Sequence, residues 1–307
     1  MATDSRRLSI LTTQEIDDLF GLPGFTENDR RFFFDLNQAE RDLVSSVYTI
    51  SVAVHLILQL GYFKAKRQFF IYARGVVLAD LEYIRRRYYP ERDIAEIKML
   101  SKPTHLEQQQ VILKLFDYQI CDVAAKSELE KKARRVAMLS TQPIFILREV
   151  LQYLTNQRIV TPGYTYLQDM VGQAVSGERQ RITLLLGKLL TPAVKQQLGK
   201  LLQADDGMYR ISALKHEPRD FSYGQLRQEV GRRKFFQALY EFGQTFLASA
   251  GLSNESVKYY ASLVQFYTVY KLQRMAVPTA RLYLQCFALS SLPPDQRQLD
   301  RCLHLSH

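Results

Sequence analysis

Prolines cut this chain into helical lengths. Pro23, Pro90, Pro103, Pro143, Pro162, Pro192, Pro218 and Pro278 fall between runs whose apolar residues recur at helical spacing. Proline is tolerated in the first turn of a helix and breaks its interior, so each marks a joint. Several joints also carry a hydroxyl followed three residues later by Glu or Gln: Thr12/Glu15, Thr104/Glu107, Thr165/Gln168 and Ser222/Gln225. In such a capping box the two side chains satisfy free amides at a helix start. Runs alternating with period two are scarce. The pattern predicts an all-α protein of about a dozen helices, built as tandem helical domains with helix-turn-helix-like units.

Two soft boundaries divide the 307 residues, a length that suits two or three small domains. The chain turns polar around Tyr89-Pro90-Glu91-Arg92. An acidic, glycine-containing turn, Gln203 to Gly207, ends a helix running through Leu198, Leu201 and Leu202. Three units follow: 1–95, 96–204 and 205–307. Between Leu43 and Phe63 no formal charge occurs, which raises the question of a membrane span. Ser45, Ser46, Thr49, Ser51, His55 and Gln59 interrupt it, and Leu43, Val47, Ile50, Val54, Ile57 and Leu58 recur on one side of a helix. That spacing favours a buried core helix over a bilayer span.

Lys and Arg total 41 against 31 Asp and Glu, a formal charge of +10. An acidic partner fits this balance, nucleic acid first and an anionic membrane surface second. Cys121, Cys286 and Cys302 are far apart and form no CxxC or Cys/His ligand spacing, so neither a zinc site nor a disulfide framework is expected. The first residues lack the apolar core of a signal peptide. The expected location is cytoplasmic. No cofactor is called for, since no P-loop, GxGxxG, GxSxG or HExxH is present.

The densest positive field lies between residues 61 and 90, with seven cations and two acids. Lys64, Lys66, Arg67 and Arg74 there are candidate phosphate contacts, since such cations release counterions from nucleic acid. The alternative is a solvated helix face paired with Asp80 and Glu82. Residues 143–177 form the best helix-turn-helix candidate. Ile144, Leu147, Leu151 and Leu154 make one apolar stripe, a turn runs from Gln157 to Gly163, and a second helix turns Leu167, Val171 and Ala174 inward. The start of a second helix is what enters the major groove in this motif. Tyr164, Thr165, Tyr166 and Gln168 stand there, and Arg148, Arg158 and Thr161 join them as candidate DNA contacts. An ordinary helical hairpin has the same pattern. Lys102, His105 and Gln109 start another helix where backbone phosphate would be attracted; a plain capped surface helix competes with that reading. Lys126, Lys131, Lys132, Arg134 and Arg135, interleaved with Glu128 and Glu130, look like a solvated face. Tyr259 and Tyr260 invite a nucleophilic-tyrosine reading, but the required arginine/histidine cluster is missing, and the helical spacing of Tyr260, Leu263, Tyr267 and Tyr270 suggests packing.

Several words of this chain, in this order, resemble one family. They are Arg7-Leu8-Ser9-Ile10-Leu11-Thr12, Gly21-Leu22-Pro23, Leu58-Gln59-Leu60-Gly61-Tyr62-Phe63-Lys64-Ala65-Lys66 and Gln157-Arg158-Ile159-Val160-x-Pro162-Gly163-Tyr164. Further on come Ala213-Leu214-Lys215, Pro218-x-Asp220-Phe221-Ser222, Leu252 to Leu263 and Tyr267-Thr268-Val269-Tyr270-Lys271-Leu272. They resemble the N-terminal region of the Tn-three family of transposases, bacterial enzymes of replicative, cointegrate-forming transposition. The resemblance covers about residues 5–287. It implies helical DNA-binding units that recognise the terminal inverted repeats of a transposon. It also implies that the DDE catalytic domain, with its magnesium-bound acids, lies further along, so this stretch binds double-stranded DNA and does not cut it. Unit 205–307 would then serve dimerisation or connection. Nucleoid or plasmid association follows from the same likeness.

After Phe287 the likeness ends. The family continues with words like Arg-Gln-Ile-Asn-Asp-Asn-Leu-Ile-Asp-Ala; here stand Pro293-Pro294-Asp295-Gln296-Arg297-Gln298-Leu299-Asp300-Arg301-Cys302. Ordinary codons for the family words, read one base earlier, give the present text. A frameshift is therefore expected, with residues 288–307 out of the family frame and loose. A truncated transposase acting as inhibitor or partner of the intact enzyme, or pairing with itself, is the competing reading; a tyrosine recombinase and a peripheral membrane protein are further ones.

Overall fold

The computed structural model describes residues 8–205, 208–215 and 223–291. Ser222 of the box expected with Gln225, the words from Pro218 to Ser222, His216, and the tail from 292 onward lie outside these residues. Among the described residues the regular elements are fifteen α-helices, one short 3-10 turn and a single two-stranded ribbon, an all-α fold. None of these helices is long and apolar enough to cross a membrane. The chain divides into two compact units: Met1–Lys131 with Leu147–Met170, and Lys132–Ile146 with Val171–His307.

The first unit opens with three short helices, α1 (Thr13–Phe20), α2 (Glu27–Phe33) and α3 (Gln38–Ser45), each begun by a capping box. The box expected at Thr12/Glu15 is present; Thr26/Asp29 repeats the device with a shorter acid, and Asn37/Glu40 with an amide in place of the hydroxyl. α3 ends where Ser46 turns its hydroxyl back onto the Leu43 carbonyl at 2.7 Å, a local bond that competes with the helix ladder. The uncharged stretch from Leu43 is therefore two helices rather than one. The second, α4 (Ile50–Lys66), is not one-sided: every residue from Ala53 to Phe63 is buried. α2, α3, α5 (Leu78–Tyr88) and α6 (Lys102–Phe116) surround it, which is why its apolar residues fill all faces. At Gly61 any side chain would run into the Phe34 ring. Inside this packing Asp80 is satisfied twice, by the Tyr62 hydroxyl at 2.6 Å and Arg30 Nε at 2.7 Å.

Two expected boxes are corrected. α6 is capped by Ser101, whose hydroxyl accepts from the Thr104 amide, with Pro103 in the first turn. Thr104 therefore lies inside the helix. Thr165 likewise lies inside α9 (Tyr164–Leu189), and its supposed partner Gln168 donates instead to the Leu8 carbonyl at 2.9 Å. α7 (Val123–Leu139), α8 (Pro143–Asn156) and α9 each contribute residues to both units.

The second unit centres on α12 (Tyr223–Ala250), α13 (Asn254–Phe266) and α15 (Val277–Ser290), with α10 (Pro192–Leu201) packed alongside α12 and α15. Phe236, Phe246, Tyr260 and Phe287 are sealed in its core. Burying each phenylalanine fully contributes about 1.5–3 kcal/mol. α12 and α15 approach closely at Gly243, where a Cβ would meet the Leu289 and Gln285 side chains. The ribbon pairs β1 (Ala204–Asp205) with β2 (Met208–Tyr209), followed by α11 (Arg210–Lys215); α14 (Val269–Arg274) links α13 to α15. α15 remains helical through Ser290, with Ala288 and Leu289 buried. The looseness expected from residue 288 does not hold there, because both side chains have core to pack against.

Candidate nucleic-acid interface

The turn after α8 is fixed by backbone hydrogen bonds from distant parts of the first unit. The Thr161 amide donates to the Arg67 carbonyl at 3.2 Å. The Gln119 amide donates to the Arg158 carbonyl at 2.8 Å, and the Val160 amide to the Gln119 carbonyl at 2.9 Å. Arg67 ends α4, Asp117 ends α6 two residues before Gln119, and Arg158 follows α8. Among the described residues these three are the non-glycine positions with positive φ, at 54°, 56° and 50°. Three left-handed helix ends therefore converge on one turn. Helix C-termini carry partial negative charge, and Arg67 and Arg158 bring cations to it. Arg158 also pairs with Asp117 at 2.9 Å, and the Arg67 guanidinium lies 5.7–5.9 Å from the ring centres of Phe63, Phe116 and Tyr118.

The candidate phosphate strip meets the protein's own oxygens. Lys64 reaches the Asp35 carbonyl at 2.6 Å and the buried Glu40 carboxylate at 3.2 Å. Lys66 donates to the Asp18 carbonyl, and Arg74 to the Ile94 carbonyl at 2.8 Å. The start of α9 is partly covered too. The Tyr164 hydroxyl accepts from the Leu11 amide at 3.3 Å, and its ring lies 5.4 Å from that of Phe20. With Gln168 on Leu8, these side chains hold residues 8–20 in place. Gln68 does the same through the Leu19 carbonyl.

Other candidates remain at the surface. Lys102, Arg148, Arg158 and Thr165 are exposed, and Gln109 is half-buried. Arg148 lies close enough to Glu15 to help hold its carboxyl below the usual range, after the larger effect of the Thr12 amide and hydroxyl. Tyr166 is half-buried, and Lys126 sits 5.3 Å over its ring. Burial, then Glu130 and Cys121, push the Tyr166 phenol up to about 12, and its hydroxyl is buried without a hydrogen-bond partner. His105 faces inward instead, edge-on to the rings of His55 and Tyr72 at 5.9 and 5.5 Å, and burial lowers its pKa. The structure thus brings Arg67, Arg158, Thr161 and Tyr164 to one turn, joins Lys66 to them through α1, and holds Lys64 and Arg74 in internal contacts. Sequence reasoning gave Lys126 only to a solvated helix face; its place on Tyr166 arises from tertiary packing and left no local signal.

A family comparison matches residues 10–174 to a domain of unknown function, DUF4158. The chain belongs to that family. The matched span runs from the residues before α1 into α9 and contains all fourteen candidate contacts. No curated protein matches the chain. Tyr259 and Tyr260 lie beyond the span. Tyr260 is 1% exposed and stacked on Tyr283 at 5.5 Å, with burial raising its phenol pKa, so it is closed to a phosphate. Among the described residues no three His, Cys, Asp or Glu side chains gather to hold a metal ion.

Proposed function

We propose that this chain binds double-stranded DNA sequence-specifically, recognising transposon terminal inverted repeats as the N-terminal part of a Tn-three family transposase, without cutting DNA itself. The observation that carries the reading is the pinned turn between α8 and α9. A recognition helix must be held rigidly, since a side chain that misses a base edge by an ångström reads nothing. Three backbone links fix this turn, and the first turn of α9 presents exposed Thr165 beside the Lys126–Tyr166 pair. Lys102 and Arg148 add exposed cations. The resemblance of the sequence words and the net charge of +10 point the same way. The contact set is narrower than the sequence suggests: the exposed Lys102, Lys126, Arg148, Arg158 and Thr165 carry it, while Lys64, Lys66, Arg74 and His105 support the fold and Tyr166 seats Lys126.

Nuclease footprinting on a duplex bearing a terminal inverted repeat tests this. A protected window confined to the repeat supports the reading. Uniform protection along the duplex, or none, contradicts it.

A further inference from the structure

The second unit carries a strip of aromatics and cations that the duplex reading does not use. Phe266, at the end of α13, is 83% exposed, and Tyr270, on α14, is 66% exposed. The two rings stand open on either side of the short turn at Tyr267 and Thr268. Each is coupled to its surroundings. Phe266 lies 5.8 Å from the Tyr267 ring, Lys271 Nζ sits 3.9 Å over Tyr267, and the Arg274 guanidinium sits 5.2 Å over Tyr270. Leu272 turns inward and is fully buried, which anchors the strip. Gln273 ties α14 to the Leu202 carbonyl at 2.9 Å, beside the exposed Lys200. Lys215 donates to the Tyr267 carbonyl at 2.7 Å. The chain from Ser256 to Pro294 contains Lys258, Lys271, Arg274 and Arg281 and no Asp or Glu.

The chemistry selects the partner. Cations alone would suit any phosphate, including a duplex backbone. Exposed rings add binding energy where bases are unstacked and offer a flat face. Arg274 over Tyr270 and Lys271 over the neighbouring Tyr267 bring cations beside the exposed rings, where phosphates can be neutralised. We propose that the Phe266–Arg274 strip binds single-stranded nucleic acid, with bases stacked on Phe266 and Tyr270 and phosphates held by Lys271 and Arg274. The site is independent of the duplex-reading turn and does not rest on that function.

The test is fluorescence anisotropy of the full chain with a labelled oligothymidine of about 20 nucleotides, enough to span such a surface. Phe266→Ala and Tyr270→Ala should each weaken binding roughly tenfold, the loss of one stacked base. Arg274→Gln should weaken it and flatten the salt dependence by about 0.7 in log–log slope, one phosphate contact. Thermal melts of all three should match the wild type, since the residues lie at the surface. Unchanged oligothymidine affinity in the two ring variants would overturn the proposal, as would no binding by the wild type. A concentration-dependent dimer abolished by these variants, with oligothymidine affinity kept, would overturn it in favour of a self-association face. The inverted-repeat preference should persist in all three variants, so failure of duplex reading is seen separately.

Discussion

Arg158 and Asp117 meet across 2.9 Å, each with a left-handed backbone. Both side chains are more than half exposed, at 57% and 89%, so the ion pair itself contributes little, about 0–1 kcal/mol. The backbone costs more: a left-handed non-glycine residue is disfavoured by about 1–2 kcal/mol. Arg158→Gly relieves the backbone and loses the pair, whereas Arg158→Ala loses the pair and keeps the strain. The glycine variant should melt above the alanine variant. An alanine variant as stable as the glycine one would show that the turn is not strained.

Lys64 reads in the sequence as a phosphate contact, and its ammonium faces Glu40, whose side chain is 2% exposed. Lys64→Ala leaves that carboxylate with only the Asn37 amide. A loss of about 1–3 kcal/mol is expected, seen as a lower urea midpoint with unchanged slope. Duplex affinity well below the melting temperature should change little, while Arg148→Ala and Lys102→Ala should weaken it. Weakened duplex binding by Lys64→Ala at unchanged stability would return Lys64 to the interface.

Gly61 meets the Phe34 ring in the middle of α4, and Gly24 has nothing within 4 Å. Gly61→Ala should destabilise the first unit by about 1–3 kcal/mol, the cost of overpacking, despite the better helix propensity of alanine. Gly24→Ala should be near neutral. Thermal denaturation of the two variants side by side makes the comparison.

The helical class was legible because spacing and proline placement are local signals. Pro103, Pro143, Pro192 and Pro278 all stand at helix starts. The box at Thr12 was legible for the same reason. Thr104 and Thr165 failed because other residues, Ser101 in one case and the turn before Tyr164 in the other, start the helix first. The left-handed ends at Arg67, Asp117 and Arg158 left no trace, since neither Gly nor Asn occupies them; tertiary bonds hold them there. The pairing of Lys64 with the buried Glu40 was invisible because the two lie 24 residues apart.

His55 is fully buried, with Nδ1 3.2 Å from the Tyr72 hydroxyl. Burial, then the neighbouring His105 and Arg74, lower it from 6.5 to about 4, against a smaller opposing pull from the Lys98 backbone. Its neutral form belongs to the folded state, and the unfolded chain binds the extra proton. The stabilisation is therefore complete above pH 6.5 and is lost as pH falls toward 4. Between pH 7 and 5 the first unit should lose about 2 kcal/mol. His55→Gln should flatten that slope in urea titrations at the two pH values; an unchanged slope would assign it to other groups.

The central claim is tested most directly by equilibrium titration of one duplex carrying the inverted repeat and one with the same bases scrambled, at several salt concentrations. Tighter binding of the repeat at every salt, affinity falling steeply with salt for both, and a preference reduced by Thr165→Ala are the predicted results. Equal affinity for the two duplexes, or affinity indifferent to salt, would contradict it.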